Sequence, residues 1–382
     1  MPRFKNHIVL LFFTIVLISC KNETKESIEG VLVEGQKLEV KYAKGFEIKA
    51  FEGYKTITLK NPWPGTDKTF TYALVERNAS LPNPESYDAM VEIPIKQLVV
   101  TSTTHIPSLE MLGEINSLIG FPNLNYISSE KTRNRIANNE IKELGKNEDI
   151  NTEILIDLSP DAVIGFAVDG NNSAFSTIQN ARIPVLYNSD WTEVSPLGKA
   201  EWIKFFGVLY NKEKEADSIF SKIESEYISA KSLASEAKNK PTVISGAMYK
   251  DVWYMPQGNS WGAQFIRDAY GDYLWIDSEG TGSLSLSLES VLDKGIEADV
   301  WIGPAQFNSL EELKEGSKAY TQFKAYKTGE VYSYSMKKGE KGGVIYYELA
   351  PNRPDLVIKD LIKILHPEML PNHKFHFFDK LN

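Results

Sequence analysis

The sequence is poor in cysteine, in histidine and in long apolar runs, and each shortage rules something out. Its 382 residues hold one cysteine, Cys20, and five histidines. A single cysteine closes no intramolecular disulfide, so the folded part takes its stability from a packed core. His7 lies in an N-terminal apolar stretch, His105 stands alone, and His366, His373 and His376 crowd the last seventeen residues. A bare zinc or manganese ion wants three or four protein ligands converging on one point. The histidines offer no helical i, i+4 pair, and NHKFHF reads as a tail, so neither a metal held by the chain itself nor a cofactor is expected.

The longest apolar run near the start, Ile8 to Ile18, has eleven residues, well short of the roughly 20 that a spanning helix needs. With Arg3 and Lys5 ahead of it, the run reads as a secretory signal over residues 1–19. Removing those residues takes two cations and no acid, leaving 40 Lys+Arg against 51 Asp+Glu, a net of −11. Such a chain has no electrostatic reason to seek nucleic acid or an anionic membrane surface. An anionic ligand would need a local basic cluster.

What is present reads as a series of segments. Leu17-Ile18-Ser19-Cys20 resembles a bacterial lipobox, which implies lipidation of Cys20, and the polar run over residues 20–30 suits a solvated tether. Residues 31–96 alternate or run β-branched in KLEVKY, FEIKAF, KTITLK and TFTYALV, which predicts a small β-rich extension. From residue 97 strands alternate with helices, the pattern of parallel α/β sheets. QLVVTS, DAVIGFA, IPVLYN, TVISGAMY, DVWYM, ADVWIGP and GEVYSYS are the strands; NTEILIDL, SAFSTIQNA, GAQFIRDAY and PDLVIKDLIKIL are among the helices.

One segment differs from the rest. Residues 212–238 place Ala216, Ile219, Phe220, Ile223, Tyr227 and Ala230 on one helical stripe, a helix of about 40 Å at 1.5 Å per residue. That is the length of a strut between two lobes rather than a crossover. An internal echo agrees: residues 151–166 and 287–304 both run cap, glutamate, apolar helix, aspartate (Asp161, Asp299), strand and glycine. The offset of 136 residues is too long for a solenoid and fits a duplicated lobe. The expected architecture is therefore two α/β lobes with parallel sheets, 97–195 and 241–382, joined through a helical segment at 196–240.

Five stretches, in order, resemble the periplasmic binding proteins that serve bacterial importers of cobalamin, iron-siderophores and haem. They are VVTSTTHIPSLEMLGEINSLIGFP, NTEILIDLSPDAVI, IQNARIPVLY, MPQGNSWGAQFIRDAYG and LSLESVLDKGIEADVWI, with APNRPDLVIKDLIKILHPEML similar to the family's closing helix. The resemblance spans roughly residues 97–370 and leaves the extension outside. It implies two lobes joined by one long helix, a metal chelate or corrinoid held between them, no enzymatic activity, a monomer, and delivery to an ABC permease. It also implies that Glu153 and Glu289, at matching helix starts, engage the permease.

The segment Gly258-Asn259-Ser260-Trp261-Gly262 supports two readings. As G-x-S-x-G it is a nucleophile elbow, with Asp355 or Asp360 and then His366, His373 or His376 following in the required order. That gives a secreted serine esterase-like hydrolase. As a cradle at a helix start it gives Ser260 a capping or ligand-contact role. Trp253, Tyr254, Trp261, Trp191 and Tyr334 lie at predicted strand ends, where open α/β sheets bind ligands, and flat chelates stack on aromatic faces. Arg133, Arg135 and Arg353 could pair with a chelate's negative charge, and His105 completes the candidate ligand set. The protein is expected in the cell envelope, anchored at Cys20, on the periplasmic side or the outer surface.

Overall fold

The computed structural model describes residues 35–81, 83–166, 168–170 and 172–382. The signal at 1–19, the tether at 20–30, Cys20 and the first residues of the extension lie outside the described residues.

The extension is a five-stranded sheet in sequence order: Gln36–Leu38, Phe46–Phe51, Tyr54–Lys60, Thr69–Glu76 and Ala89–Ile93. The last strand runs parallel to its neighbour and was not expected from the sequence. Period-two alternation puts Phe46, Ile48, Ile57, Leu59, Tyr72, Leu74, Val91 and Ile93 on one buried face. That face shares a core with lobe 1 and the linking helices, Phe46 lying 4.6 Å from Trp202 between ring centres.

Lobe 1 carries a parallel sheet in the order Val185–Tyr187, Ala162–Gly165, Leu98–Val100, Leu118–Phe121, Lys142–Glu143. Lobe 2 orders Asp272–Tyr273, Thr242–Ser245, Val300–Ile302, Val331–Ser333 and Asp379–Lys380, the last strand antiparallel. The echo in the sequence corresponds to equivalent positions. Ala162–Gly165 and Val300–Ile302 each lie parallel beside the first strand of their lobe. Asp161 accepts from the amides of Lys96 and Gln97 at 2.7 and 2.9 Å, and Asp299 from the amide and hydroxyl of Thr242 at 2.9 and 2.8 Å. Each aspartate therefore pins the entry of a first strand.

The strut is Glu213–Ala234, 22 residues, or about 33 Å, shorter than the 212–238 stripe predicts. Glu213 and Glu215 sit in its first turn, where the helix dipole favours acids. Ala216, Phe220 and Ile223 belong to the core of lobe 1, while Tyr227, Ala230 and Ala234 belong to that of lobe 2. One helix thus carries both lobes, and burial of Phe220 or Ile223 is worth about 1.5–3 kcal/mol each.

The C-terminal histidines do not form a free tail. The Asp360 carboxylate takes His373 Nε2 at 2.7 Å and the amides of His376 and Phe377 at 3.0 and 2.7 Å. Phe377, Phe378 and Leu381 are buried, and the chain closes as the edge strand of lobe 2.

Candidate functional site

Strand ends of lobe 2 border one cavity, and strand ends of lobe 1 border a second that adjoins it. On the lobe 2 side, Ser245, Gly246, Ile302, Gly303 and Tyr334 follow from strand ends and border a cavity of about 400 Å³. Its walls add Tyr254, Trp261, Phe265, Tyr346, Tyr347 and Phe378, and include no ionised side chain. Tyr334 and Tyr346 stack at 4.5 Å, and Tyr346 lies 6.0 Å from Trp261. Burial pushes the phenols of Tyr334 and Tyr346 well above their ordinary range, so both stay neutral. Tyr347 also borders an adjoining cavity of about 300 Å³, which Thr101, Phe121 and Phe166 close from the strand ends of lobe 1.

The turn at Ser260 acts as a cap. Gly258 is required there because a Cβ would fall 2.0 Å from the carbonyl oxygen of Ile276. Ser260 Oγ accepts from the amide of Ala263 at 3.3 Å and donates to the Gln257 carbonyl at 2.6 Å. It opens the helix Trp261–Asp268 and turns the Trp261 ring into the cavity wall. The triad partners that the sequence order suggests are engaged elsewhere: Asp360 with His373, Asp355 with Arg353, and His366 with the Tyr270 carbonyl.

Of the remaining aromatic candidates, Tyr254 and Tyr334 line the cavity and Trp253 does not. Trp253 is fully buried, stacked on Trp301 at 5.4 Å with its indole N–H on the Ser245 carbonyl at 2.9 Å. Trp191 is 38% exposed in the short turn Asp190–Thr192.

The three arginines are not in the aromatic cavity. Arg135 binds Glu140 at 2.8 Å and the carbonyls of Ile115 and Leu118, holding a turn of lobe 1. Arg133 donates to the Leu124 carbonyl at 2.7 Å. Arg353 makes a paired bond to Asp355 at 2.8 and 2.7 Å, behind the strut in a recess with Glu226 and Lys359. His105 is fully buried against Phe206, and burial holds its pKa below the ordinary value against the pull of Asp190. Its place is the core of lobe 1. Glu153 and Glu289 are both exposed in the first turns of Thr152–Leu158 and Leu288–Gly295, with no ion-pair partner among the described residues.

Three residues at the candidate site carried no sequence signal that would single them out. Lys199 is buried, donates to the carbonyls of Asp190 and Trp191 at 3.0 Å each, and lies 5.2 Å over the Trp261 ring. It ties the Trp191 turn of lobe 1 to the cavity wall of lobe 2, and burial lowers its pKa. Tyr346 and Tyr347 stand in the short helix Ile345–Leu349. Beside them Glu348 crosses between lobes, accepting from the amides of Ser128 and Ser129 at 2.7 and 2.9 Å. Asn352 adds bonds to Ser108 and to the Thr104 carbonyl at 2.8 Å each. The backbone at Gly339 runs so close to this junction that a Cβ would lie 2.5 Å from Ser128 Cα.

Among the described residues, no group of three or more His, Cys, Asp or Glu side chains is placed to hold a metal ion. A family model described as "Periplasmic binding protein" matches residues 98–337. An uncharacterized lipoprotein of Methanocaldococcus jannaschii is 30% identical over 302 residues, 77% of this chain and 70% of the relative. Among solved structures, a possible iron-binding (periplasmic solute-binding) protein from Staphylococcus epidermidis is similar at 16% identity and a TM-score of 0.55, covering 72% of this chain and 99% of that one. The periplasmic heme-binding protein RhuT from Roseiflexus sp. is similar at 17% identity and a TM-score of 0.52, covering 70% and 99%. At these identities the two structures speak for the fold alone.

Proposed function

The chain belongs to the periplasmic binding protein family, and from that premise we propose that it captures a metal chelate between its lobes and delivers it to an ABC importer. The chelate is a ferric siderophore, haem or a corrinoid. The observation that carries this reading is the aromatic cavity: Tyr254, Trp261, Tyr334, Tyr346 and Tyr347 converge on it and no charged side chain lines it. A bare cation would find no ligand set there. A flat or neutral chelate body gains aromatic stacking and loses little on leaving water, whereas a bare multiply charged one would be costly to desolvate.

Glu153 and Glu289 are the proposed docking points for the permease, one on each lobe, both exposed and unencumbered. Anchoring at Cys20 in the cell envelope is supported by the lipobox-like run and by the lipoprotein name of the Methanocaldococcus relative. Both lobes share cores with one continuous helix, so closure is small and affinity rests on a largely preformed cleft.

The test is a tryptophan-fluorescence titration of residues 21–382 with haemin, cobalamin, ferric hydroxamate and catecholate siderophores, and bare Fe, Mn and Zn ions. Saturable quenching by one chelate with a Kd below about a micromolar, about −8 kcal/mol, is expected. Tight binding of a bare ion, or no response to any chelate, overturns the proposal.

A further inference from the structure

We propose that the β-rich extension supplies a second subsite to the cleft, in which Lys44, unpaired among the described residues, takes an anionic appendage of the chelate whose body lies in the aromatic cavity. This rests on the reading of that cavity given above and adds a partner site to it. The subsite is a cavity of about 540 Å³ that Lys44, Lys60, Asn61 and Trp63 of the extension border together with Thr192 of lobe 1 and Thr281 of lobe 2. Thr281 also lines the aromatic cavity, so the two spaces share a wall. Together they fall within the usual range for sites that enclose a ligand, about 300–1,000 Å³.

Charge distinguishes the two spaces. The aromatic cavity has no ionised wall, while the second has two ammonium groups, Lys44 and Lys60, and two carboxylates, Asp67 and Glu193. Lys44 is exposed and has no ion-pair partner among the described residues; Lys60 shares Glu47 at 2.6 Å. The carboxylate nearest Lys44 is already engaged: Glu193 Oε1 accepts from the amides of Lys44 and Gly45 at 2.8 and 2.9 Å and from the Trp202 indole at 3.2 Å. Asp67 lies exposed on the rim.

The wall is also held in place. Five successive amides, Lys41 to Gly45, are bound by two glutamates, Glu201 taking Lys41, Tyr42 and Ala43 at 2.8, 2.6 and 2.9 Å. Trp63 is 8% exposed, 5.7 Å from Tyr187 and 6.1 Å from Phe70 between ring centres. The backbone that carries Lys44 is thus held at a set distance from the aromatic cavity, and its exposed side chain is what must be ordered on binding.

The appendage can be a carboxylate, as on a porphyrin, or a phosphate, as on the nucleotide arm of a corrinoid. The experiment therefore uses matched probes: haemin against its dimethyl ester, and cobalamin against cobinamide, each titrated into wild type, Lys44→Glu and Thr281→Trp. In the pair that binds, the acid-bearing member is expected to bind wild type more tightly. Lys44→Glu should weaken it about five-fold at low salt, with the difference lost near about 1 M salt, and should leave the neutralised member unchanged. Thr281→Trp, which adds bulk to the shared wall, should likewise penalise the acid-bearing member more. Equal effects on both members, or none, overturn the subsite while the aromatic cavity stands. Failure of wild type to bind any of the four overturns the subsite, while the titration with ferric siderophores decides the cavity reading separately.

Discussion

Glu348 predicts an unusual pH response. Its carboxylate is 3% exposed, crosses from lobe 2 to lobe 1, and accepts from the amides of Ser128 and Ser129. Burial raises its pKa from the ordinary 4.5 to about 7; Glu110, which faces it from lobe 1, pushes the same way, and the two amides pull against them. A pKa raised in the folded state means that the folded form holds a proton the unfolded chain has released. The resulting stability is fully present below about pH 4.5 and is lost as pH rises through 7. A change of that size corresponds to about 3 kcal/mol across the window. Urea unfolding of wild type and Glu348→Gln at intervals from about pH 5 to about pH 8 measures it. Wild type should lose about 3 kcal/mol relative to the variant, which has no proton to release at that position. Parallel profiles for the two proteins would refute the argument.

The other predictions concern single positions. Glu201→Ala should cost about 3–5 kcal/mol by urea unfolding, because it strands three amides that the fully buried carboxylate now binds; a loss under about 1 kcal/mol would contradict this. His105 should destabilise the fold on acidification: burial holds its pKa below 6.5, so stability present above that value is lost as pH falls. This runs opposite to Glu348, so the reading is the difference between wild type and His105→Leu over about pH 7 to 5, and an unchanged slope sinks it. Ser260→Ala should cost about 1 kcal/mol as a lost N-cap and leave any background hydrolysis of p-nitrophenyl acetate unaltered; a variant-dependent loss of turnover would revive the nucleophile.

The parts of the fold legible in the sequence are those where a short-range period decides. The stripe Ala216, Phe220, Ile223, Tyr227, Ala230 lies in the two cores, and the echo with Asp161 and Asp299 marks equivalent strand entries. The site was harder to read, and Trp253 and Tyr254 show one reason. Trp253 is taken up by the core of lobe 2, stacked on Trp301 and packed against Tyr320 and Phe323, while its neighbour Tyr254 borders the cavity, and nothing local in the sequence separates the two. Arg135 was placed near the ligand because its acceptors are carbonyls at Ile115 and Leu118, brought to it only by the fold. The tail was read as loose because its partner, Asp360, lies on the preceding helix and binds backbone amides that leave no mark in composition. Lys199 illustrates the same limit from the other side: a buried ammonium between two carbonyls and an indole looks like any surface lysine until the chain is folded.

The clasp on residues 41–45 has a bearing on ancestry. Glu193 and Glu201 grip main-chain N–H groups, which every residue but proline possesses, and the side chains of Lys41 and Lys44 are exposed. Much of that stretch can therefore change side chain by side chain and still keep its seat. The receiving side is fixed instead: two glutamates eight places apart flank the short helix Pro196–Ala200, ahead of the strut. A chain that carries that pair is expected to carry a β-rich extension as well, whatever residues now spell it.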